Sequence, residues 1–354
     1  MQVHCWGVRG SVPVPGPSTV KFGGNTTCFS MSIGDDHQLI LDAGTGVRNI
    51  DIADRQVFLL VFSHVHHDHQ QGLPFFPAIY FPDRALHMYA PARMKRSLVD
   101  VLRTELFDVP TFPALLSDVR GRMAFNELRG VDSIRLPSAE DAEEAARLFG
   151  DRWPEMAHYY PRAENLHLAS HVSAPTHPNE VGRIDCADNY AHPQNGTLFY
   201  RITEHATGHS VVYATDAEAF RGGNQALIKF ALGADILIHD SQYTEEQYLG
   251  TAPVVQGFGH SDFKSAVEVA AAAGVKRLVL THFDPRNDDA VVAKHGTRRA
   301  RPCRHSREGL GGGGSPRGHH LRLLRLGLPS RSRLPQSVGY SAVSMPMRRS
   351  RPSR

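Results

Sequence analysis

The residues with the clearest chemical potential form one short string, Ser63-His64-Val65-His66-His67-Asp68-His69. It follows directly on the apolar run 56–62, so a strand there would deliver it to the edge of a sheet. His64, His66, Asp68 and His69 place three imidazoles and a carboxylate within six residues. A packed core has no use for that density of polar groups. Divalent cations do, because imidazole and carboxylate together suit Zn, Mn or Fe. The four cysteines, Cys5, Cys28, Cys186 and Cys303, are scattered without a C-x-x-C pair, which argues against a thiolate zinc knot and against a disulfide framework. The chain carries 21 histidines instead, of which His158, His167, His171, His205 and His209 read as solvated.

Elements able to hold such a string are spread along the chain. Segments 3–7, 28–33, 38–42 and 56–62 read as strands, from β-branched and apolar runs broken at Gly, Pro and Asp. The helical spacing of Met94, Leu98, Val101, Leu102 and Leu106 marks a first long helix over 92–106, and further helices are expected at 139–149, 224–231 and 261–273. Strands are expected between and after them at 197–203, 210–214, 235–239 and 277–281. A strand-rich half followed by mixed strand and helix, with no repeat period, predicts an α+β chain with two layers of sheet and helices outside.

The string His64–His69 reads H-x-H-x-D-H and resembles the signature of the metallo-β-lactamase superfamily, whose four-layer αββα sandwich carries one or two metals at one edge of its sheets. Further matches run through the body: Trp6-Gly7-Val8-Arg9-Gly10-Ser11, Gly23-Gly24-Asn25-Thr26-Thr27-Cys28, Leu41-Asp42-Ala43-Gly44-Thr45-Gly46, Tyr213-Ala214-Thr215-Asp216 and Leu280-Thr281-His282-Phe283-Asp284-Pro285. Together they look like the branch containing ribonuclease Z and related phosphodiesterases. The resemblance covers about 1–290 and none of the remainder.

Carried over position by position, the resemblance makes His64 and His66 ligands of a first metal, Asp68 and His69 ligands of a second, and Asp216 the bridge. His282 would complete the second site. Two His-Pro pairs compete for the remaining first-site position, His177-Pro178 and His192-Pro193. His192 is favoured, because the sequence continues through Asn195-Gly196 into strand 197–203 and on to Asp216, as the family pattern does. The cofactors implied are two divalent ions, Zn first and Mn second. Asp42 would sit beside the site and orient a ligand imidazole. Gly259-His260-Ser261 resembles the segment that sets a histidine beside the substrate phosphate, so His260, with Asp68 at the metals, makes up the expected catalytic pair; the bland alternative is a helix cap formed by Ser261. For His239-Asp240, positioning of the site and plain strand-end packing weigh equally.

Two metals about 3.5–4 Å apart can hold a bridging hydroxide and stabilise both oxygens of a displacement at phosphorus. No G-x-S-x-G elbow or Walker A loop offers a rival chemistry. The leading expectation is a metal-dependent phosphodiesterase acting on a small nucleotide, a cyclic phosphodiester or an RNA end. Ribonuclease Z-like tRNA 3′ processing is the runner-up; against it, that family's substrate-gripping arm falls between the third histidine and the bridging aspartate, where only 24 positions separate His192 from Asp216. The interval 92–191 is read instead as a lid over the metals. β-Lactamase or other ester hydrolysis, a diiron redox module and a metal-bound binding protein without turnover remain as weaker alternatives.

The 354 residues are 41% hydrophobic and 21% charged, ordinary globular values, but charge is unevenly placed. Residues 294–354 hold 15 Lys and Arg against one acid, Glu308, whereas 1–293 hold 24 bases against 35 acids. The acidic body argues against strong nonspecific nucleic-acid binding outside the tail. The tail lacks Asp, Asn, Ile, Phe and Trp and contains Gly311-Gly312-Gly313-Gly314-Ser315, so disorder is expected there. A nucleic-acid arm, an unselected extension and a reading-frame shift are the three readings of it. The longest apolar run, 56–62 with its flanks, falls far short of the ~18–20 residues of a membrane span. The expectation is a cytoplasmic protein without a membrane partner, and since relatives commonly pair, a homodimer.

Overall fold

The computed structural model describes residues 1–34, 37–53, 55–92, 96–138, 180–193, 196–220, 222–296 and 344–346. Thirteen strands among them form two sheets. The first runs in chain order: β1 (Gln2–Gly7), β2 (Cys28–Ile33), β3 (His37–Leu41), β4 (Val57–Val61), β5 (Ala85–Pro91) and β6 (Arg122–Leu128). Pairing is antiparallel from β1 to β3 and parallel from β3 to β6. The second sheet has β7 (Ser133–Pro137), β8 (Glu180–Asn189), β9 (Thr197–Glu204), β10 (Ser210–Ala214), β11 (Ile236–Asp240), β12 (Arg277–Thr281) and β13 (Ser344–Pro346), again in sequential order, with β10, β11 and β12 parallel.

The apolar character of β4, Val-Phe-Leu-Leu-Val, follows from burial on both faces. Leu59 and Val61 join Leu39, Leu41, Ile184, Tyr200 and Val212 in a core between the sheets. Phe58 and Leu60, pointing the other way, join Ile40, Met88 and the helical residues Leu98 and Leu102 in a second core outside the first sheet. Leu98 and Leu102 belong to α2 (Leu98–Glu105), which follows the one-turn α1 (His67–Gln70). On the second sheet pack α3 (Gln225–Phe230) and α5 (Phe263–Ala272), with α4 (Glu245–Tyr248) and α6 (Asp289–Gly296) beyond. The architecture is the expected αββα sandwich.

Several local expectations are corrected. The expected helix 92–106 is α2 alone: β5 runs to Pro91, and the helix starts only after Ser97, whose hydroxyl accepts the Asp100 N–H at 3.2 Å. β5, β6, β7 and β8 were not anticipated. β5, Ala-Leu-His-Met-Tyr-Ala-Pro, is buried throughout and so lacks a polar alternation to reveal it, and β8 carries Glu, Gly, Asp and Asn, all poor strand formers. β6, β7 and β8 fall within the interval read as a lid and belong to the two sheets; 139–179, with the expected helix 139–149 and His177, lies outside the described residues. Helix 261–273 begins instead at Phe263, because Asp262 rather than Ser261 caps it, accepting from the Lys264 and Ser265 N–H groups at 2.8 and 3.1 Å. Of the segment expected to be disordered, α6 takes the first residues and Ser344–Pro346 pair antiparallel with β12. No helix among the described residues is long and apolar enough to cross a membrane.

Parallel strands collect their carboxyl ends at one edge, and loops leaving that edge meet there. Asp42 follows β3, Ser63–His69 follows β4, Asp216 follows β10, Asp240 ends β11 and His282 follows β12. β8 runs antiparallel to β9, itself antiparallel to β10, so its end, two residues before the turn holding His192, reaches the same edge.

Candidate metal centre

All seven expected ligands converge at that edge. His64, His66 and His192 bring ligand atoms within 4.8 Å of one another, as do His64, His69 and Asp216, and likewise Asp68, His69 and His282. His64 Nε2 lies 2.8 Å from His66 Nδ1, which is 3.1 Å from His192 Nε2. Across the cluster His282 Nε2 stands 3.3 Å from His69 Nε2 and 3.1 Å from Asp68 Oδ2. Asp216 lies between the groups, with Oδ2 3.1 Å from His69 Nε2 and Oδ1 3.4 Å from His282 Nε2, 3.6 Å from His64 Nε2 and 3.8 Å from His192 Nε2. His66 is exposed at the mouth, and the other six are buried.

The donor set fits divalent cations on its own chemistry. His69 Nδ1 is bonded to Asp42 Oδ2 and His282 Nδ1 to Gln242 Oε1, each at 2.8 Å, so these nitrogens carry protons and the facing Nε2 atoms present lone pairs. Two lone pairs 3.3 Å apart, flanked by two carboxylates, call for positive charge between them. Electrostatics point the same way. Burial disfavours charge on Asp216 and Asp68, yet the surrounding imidazoles outweigh it and hold both carboxyls well below their usual range. Burial likewise works against a proton on His282, but Asp216, Asp68 and Asp240 raise it to about 9, and similar carboxylates raise His69. In the metal-free chain each of these Nε2 atoms is thus favoured to take up a proton, which a bound cation would displace. His64 and His192 are instead held neutral, His192 at about 4, chiefly by burial, which leaves them ready as ligands.

Backbone strain marks the same place. Among the described residues, Ser11, Asp42, Asp216 and His282 are the non-glycine residues with φ in the left-handed region, at 64°, 58°, 50° and 62°. Each such conformation costs about 1–3 kcal/mol and persists only where surroundings hold it. Here they do: the Ser11 N–H donates to Asp68 Oδ2 at 2.7 Å, and Asn189 Nδ2 donates to the Asp216 carbonyl at 2.9 Å.

Asp42 takes the orienting position expected of it. Its carboxylate accepts from Ser63 N–H at 2.7 Å, Ser63 Oγ at 2.8 Å, His69 Nδ1 at 2.8 Å and Tyr213 Oη at 2.6 Å. His260 sits against the cluster with its ring stacked on His282, centroids 4.7 Å apart. Its Nδ1 is 2.8 Å from Asp240 Oδ2, while Oδ1 of the same carboxylate accepts the Ser261 N–H at 2.8 Å. Of the two readings of His239-Asp240, positioning therefore describes Asp240; the His239 Nδ1 turns to the Asp240 carbonyl at 2.6 Å. Ser261 is not a cap: its hydroxyl donates to the Ala217 carbonyl and accepts the Ala219 N–H. Gln242, Tyr213 and Glu218 were missed. A carboxylate two residues after Asp216 was a usable signal for Glu218, whereas no spacing identifies the other two.

Gly259 allows two loops to touch. Its φ is +87°, and a Cβ there would lie 2.2 Å from His192 Nδ1 and 2.6 Å from the His192 Cα. Gly259→Ala is expected to displace His192 and cut hydrolytic activity about 100-fold, the usual effect of ångström-scale misplacement. Gly257→Ala is the control, since φ there is +85° but its Cβ would meet nothing within 4 Å. Comparable activity in the two variants would show that backbone strain alone, not the contact, is responsible.

Comparisons with known proteins find similar chains and folds. A family model for a β-lactamase superfamily domain matches residues 142–283. A protein of Synechococcus sp. (strain CC9311) named ribonuclease Z is 26% identical over 297 residues, covering 81% of this chain and 88% of that protein. Another so named, from Archaeoglobus fulgidus, is 28% identical over 284 residues, covering 75% and 80%. Among solved structures, a diphosphatase from the PhnP family superposes with a TM-score of 0.51 at 14% identity, over 82% of this chain and 90% of that one. The domain match, the fold and the relatives together support a chain of the metallo-β-lactamase superfamily of metallo-hydrolases, similar to its ribonuclease Z and phosphodiesterase branch.

Proposed function

We propose that the chain is a metal-dependent phosphodiesterase acting on a nucleotide, a cyclic phosphodiester or an RNA end. The observation that supports this most is His260, a histidine fixed by Asp240 beside the carboxylate Asp216, with Nδ1 3.8 Å from Asp216 Oδ1. His64, His66, His192 and Asp216 would hold one divalent ion and Asp68, His69, Asp216 and His282 a second, zinc first and manganese second. Bound there, such ions acidify a water and neutralise charge on the phosphoryl group. The chain's own groups then have defined tasks. Asp240 accepts the Nδ1–H hydrogen bond of His260, which fixes the ring with Nε2 free, so that the imidazolium form can give its Nε2 proton to the departing oxygen. Asp42 and Gln242 keep His69 and His282 with Nε2 inward.

The test is metal content by elemental analysis with hydrolysis of bis(p-nitrophenyl) phosphate, on the full chain and Asp68→Ala. Two metals per chain and turnover lost in the variant are expected; a folded chain binding no metal would end this reading, and hydrolysis of nitrocefin in place of the phosphodiester would move it to β-lactam chemistry. His260→Gln is expected to lower kcat about 10²–10⁴-fold with metal content unchanged, the range for a lost general acid.

A second reading, 3′-end processing of tRNA, is favoured by the relatives named ribonuclease Z over most of their length. Against it, β9, β10 and their short connection account for nearly all of the interval from His192 to Asp216. Endonucleolytic release of a 3′ trailer from precursor tRNA at a rate matching that on small diesters would favour the tRNA reading.

A further inference from the structure

Beside His260 the chain holds an exposed aromatic ring in a rigid frame. Phe258 is 54% exposed although its loop is anchored from beneath by Glu218, a carboxylate only 3% exposed. Glu218 accepts the Gly257 N–H at 2.8 Å and the Gly259 N–H at 3.0 Å, the two amides flanking Phe258, and the Tyr248 hydroxyl at 2.7 Å. Gly257 and Gly259 both have φ near the +85° that glycine alone adopts at ease. The Phe258 N–H is itself tied to the Val255 carbonyl at 3.3 Å. On its far side the loop abuts His192 through Gly259, and two residues before His192 stands Tyr190, 72% exposed.

A buried carboxylate satisfied by loop amides fixes backbone position at a desolvation cost, and the ring so fixed is left in water. That combination has a use if the ring meets a flat apolar partner. Phe258 lies two residues from His260, about 7 Å along the chain at most, which is the scale of the ribose separating a phosphate from its base. A phenyl ring offers a face to any base and no hydrogen-bond discrimination among them.

We propose that Phe258, held by Glu218, is a stacking platform for the nucleobase of the substrate, so that the centre prefers nucleotide phosphodiesters over those lacking a base. The inference rests on the phosphodiesterase reading above. Glu218 is here a positioning residue and Phe258 a specificity residue.

The experiment compares binding of adenosine 5′-monophosphate and ribose 5-phosphate to the zinc-loaded full chain by calorimetry. These ligands share the phosphate and sugar and differ in the base. The wild-type chain should bind the nucleotide about tenfold more tightly, within the range for one stacked base. Phe258→Ala should bring that ratio to about one while leaving ribose 5-phosphate affinity unchanged, which also shows the variant is folded. Phe258→Trp should restore it, and Glu218→Gln should lower it partway. A wild-type ratio of one, binding of neither ligand, or a ratio that survives Phe258→Ala would overturn the platform. A chain that keeps the ratio but fails to hydrolyse bis(p-nitrophenyl) phosphate would keep the platform and sink the phosphodiesterase reading.

Discussion

Asp216→Ala should lose bound metal and with it more than the ~10–100-fold in activity that a supporting hydrogen-bond partner costs. The reason is its place. Its two oxygens lie within 3.8 Å of nitrogens from His64, His69, His192 and His282, so it is the group common to both halves of the cluster. Without it each half keeps three expected ligands, His64, His66 and His192 on one side and Asp68, His69 and His282 on the other, and nothing holds the halves in register. The metal-free protein should change too. Asp216 is the foremost influence raising His282, so its removal lowers that histidine from about 9 and weakens the imidazolium charge that Asp68 relies on. Elemental analysis and hydrolysis of bis(p-nitrophenyl) phosphate measure the first effect. Asp216→Ala protein with wild-type metal content would show that the two clusters work independently.

For stability, Asp42→Ala carries the largest expected loss, about 3–5 kcal/mol, the usual cost of removing one partner from a buried charged pair. The carboxylate is fully buried and receives Ser63 twice, His69 and Tyr213. Deleting it strands the Tyr213 hydroxyl between the sheets and frees the His69 ring to turn. Metal affinity should fall about 10–100-fold in parallel. Chemical denaturation with and without a chelator separates the two, because the packing loss persists in the metal-free chain. Asp42→Asn should recover part of the stability, since the amide oxygen can still accept one donor. If the chelated variant were as stable as chelated wild type, Asp42 would matter to the ion alone.

How much of this was legible before the structure differs by element. Strands such as β4 and β10 announce themselves by apolar runs ending in polar, chemistry-bearing residues, and the H-x-H-x-D-H string gave the first four positions of the site. β5 and β8 did not, for opposite reasons: one is buried on both faces, the other is rich in residues that avoid strands, and tertiary pairing decided both. Within the site, His192 followed from the family pattern. Gln242 and Tyr213 were out of reach because they act through side chains brought together across 40 and 171 positions, which no local spacing encodes. The left-handed conformations of Asp42, Asp216 and His282 were equally hidden, since aspartate and histidine adopt a positive φ more readily than other side chains but still in only a minority of positions.

The contact between Asp68 and His282 spans 214 positions, and Asp289 reaches back to the Lys21 and Phe22 amides. A ribosome therefore releases the complete donor set only after about four-fifths of the chain has been made, and any fragment ending before β12 owns fewer than the full complement. The centre is in this sense a late clasp. Two separately produced pieces, divided in a loop between the sheets, would each hold ions weakly and together hold them well, so metal uptake would report their reunion.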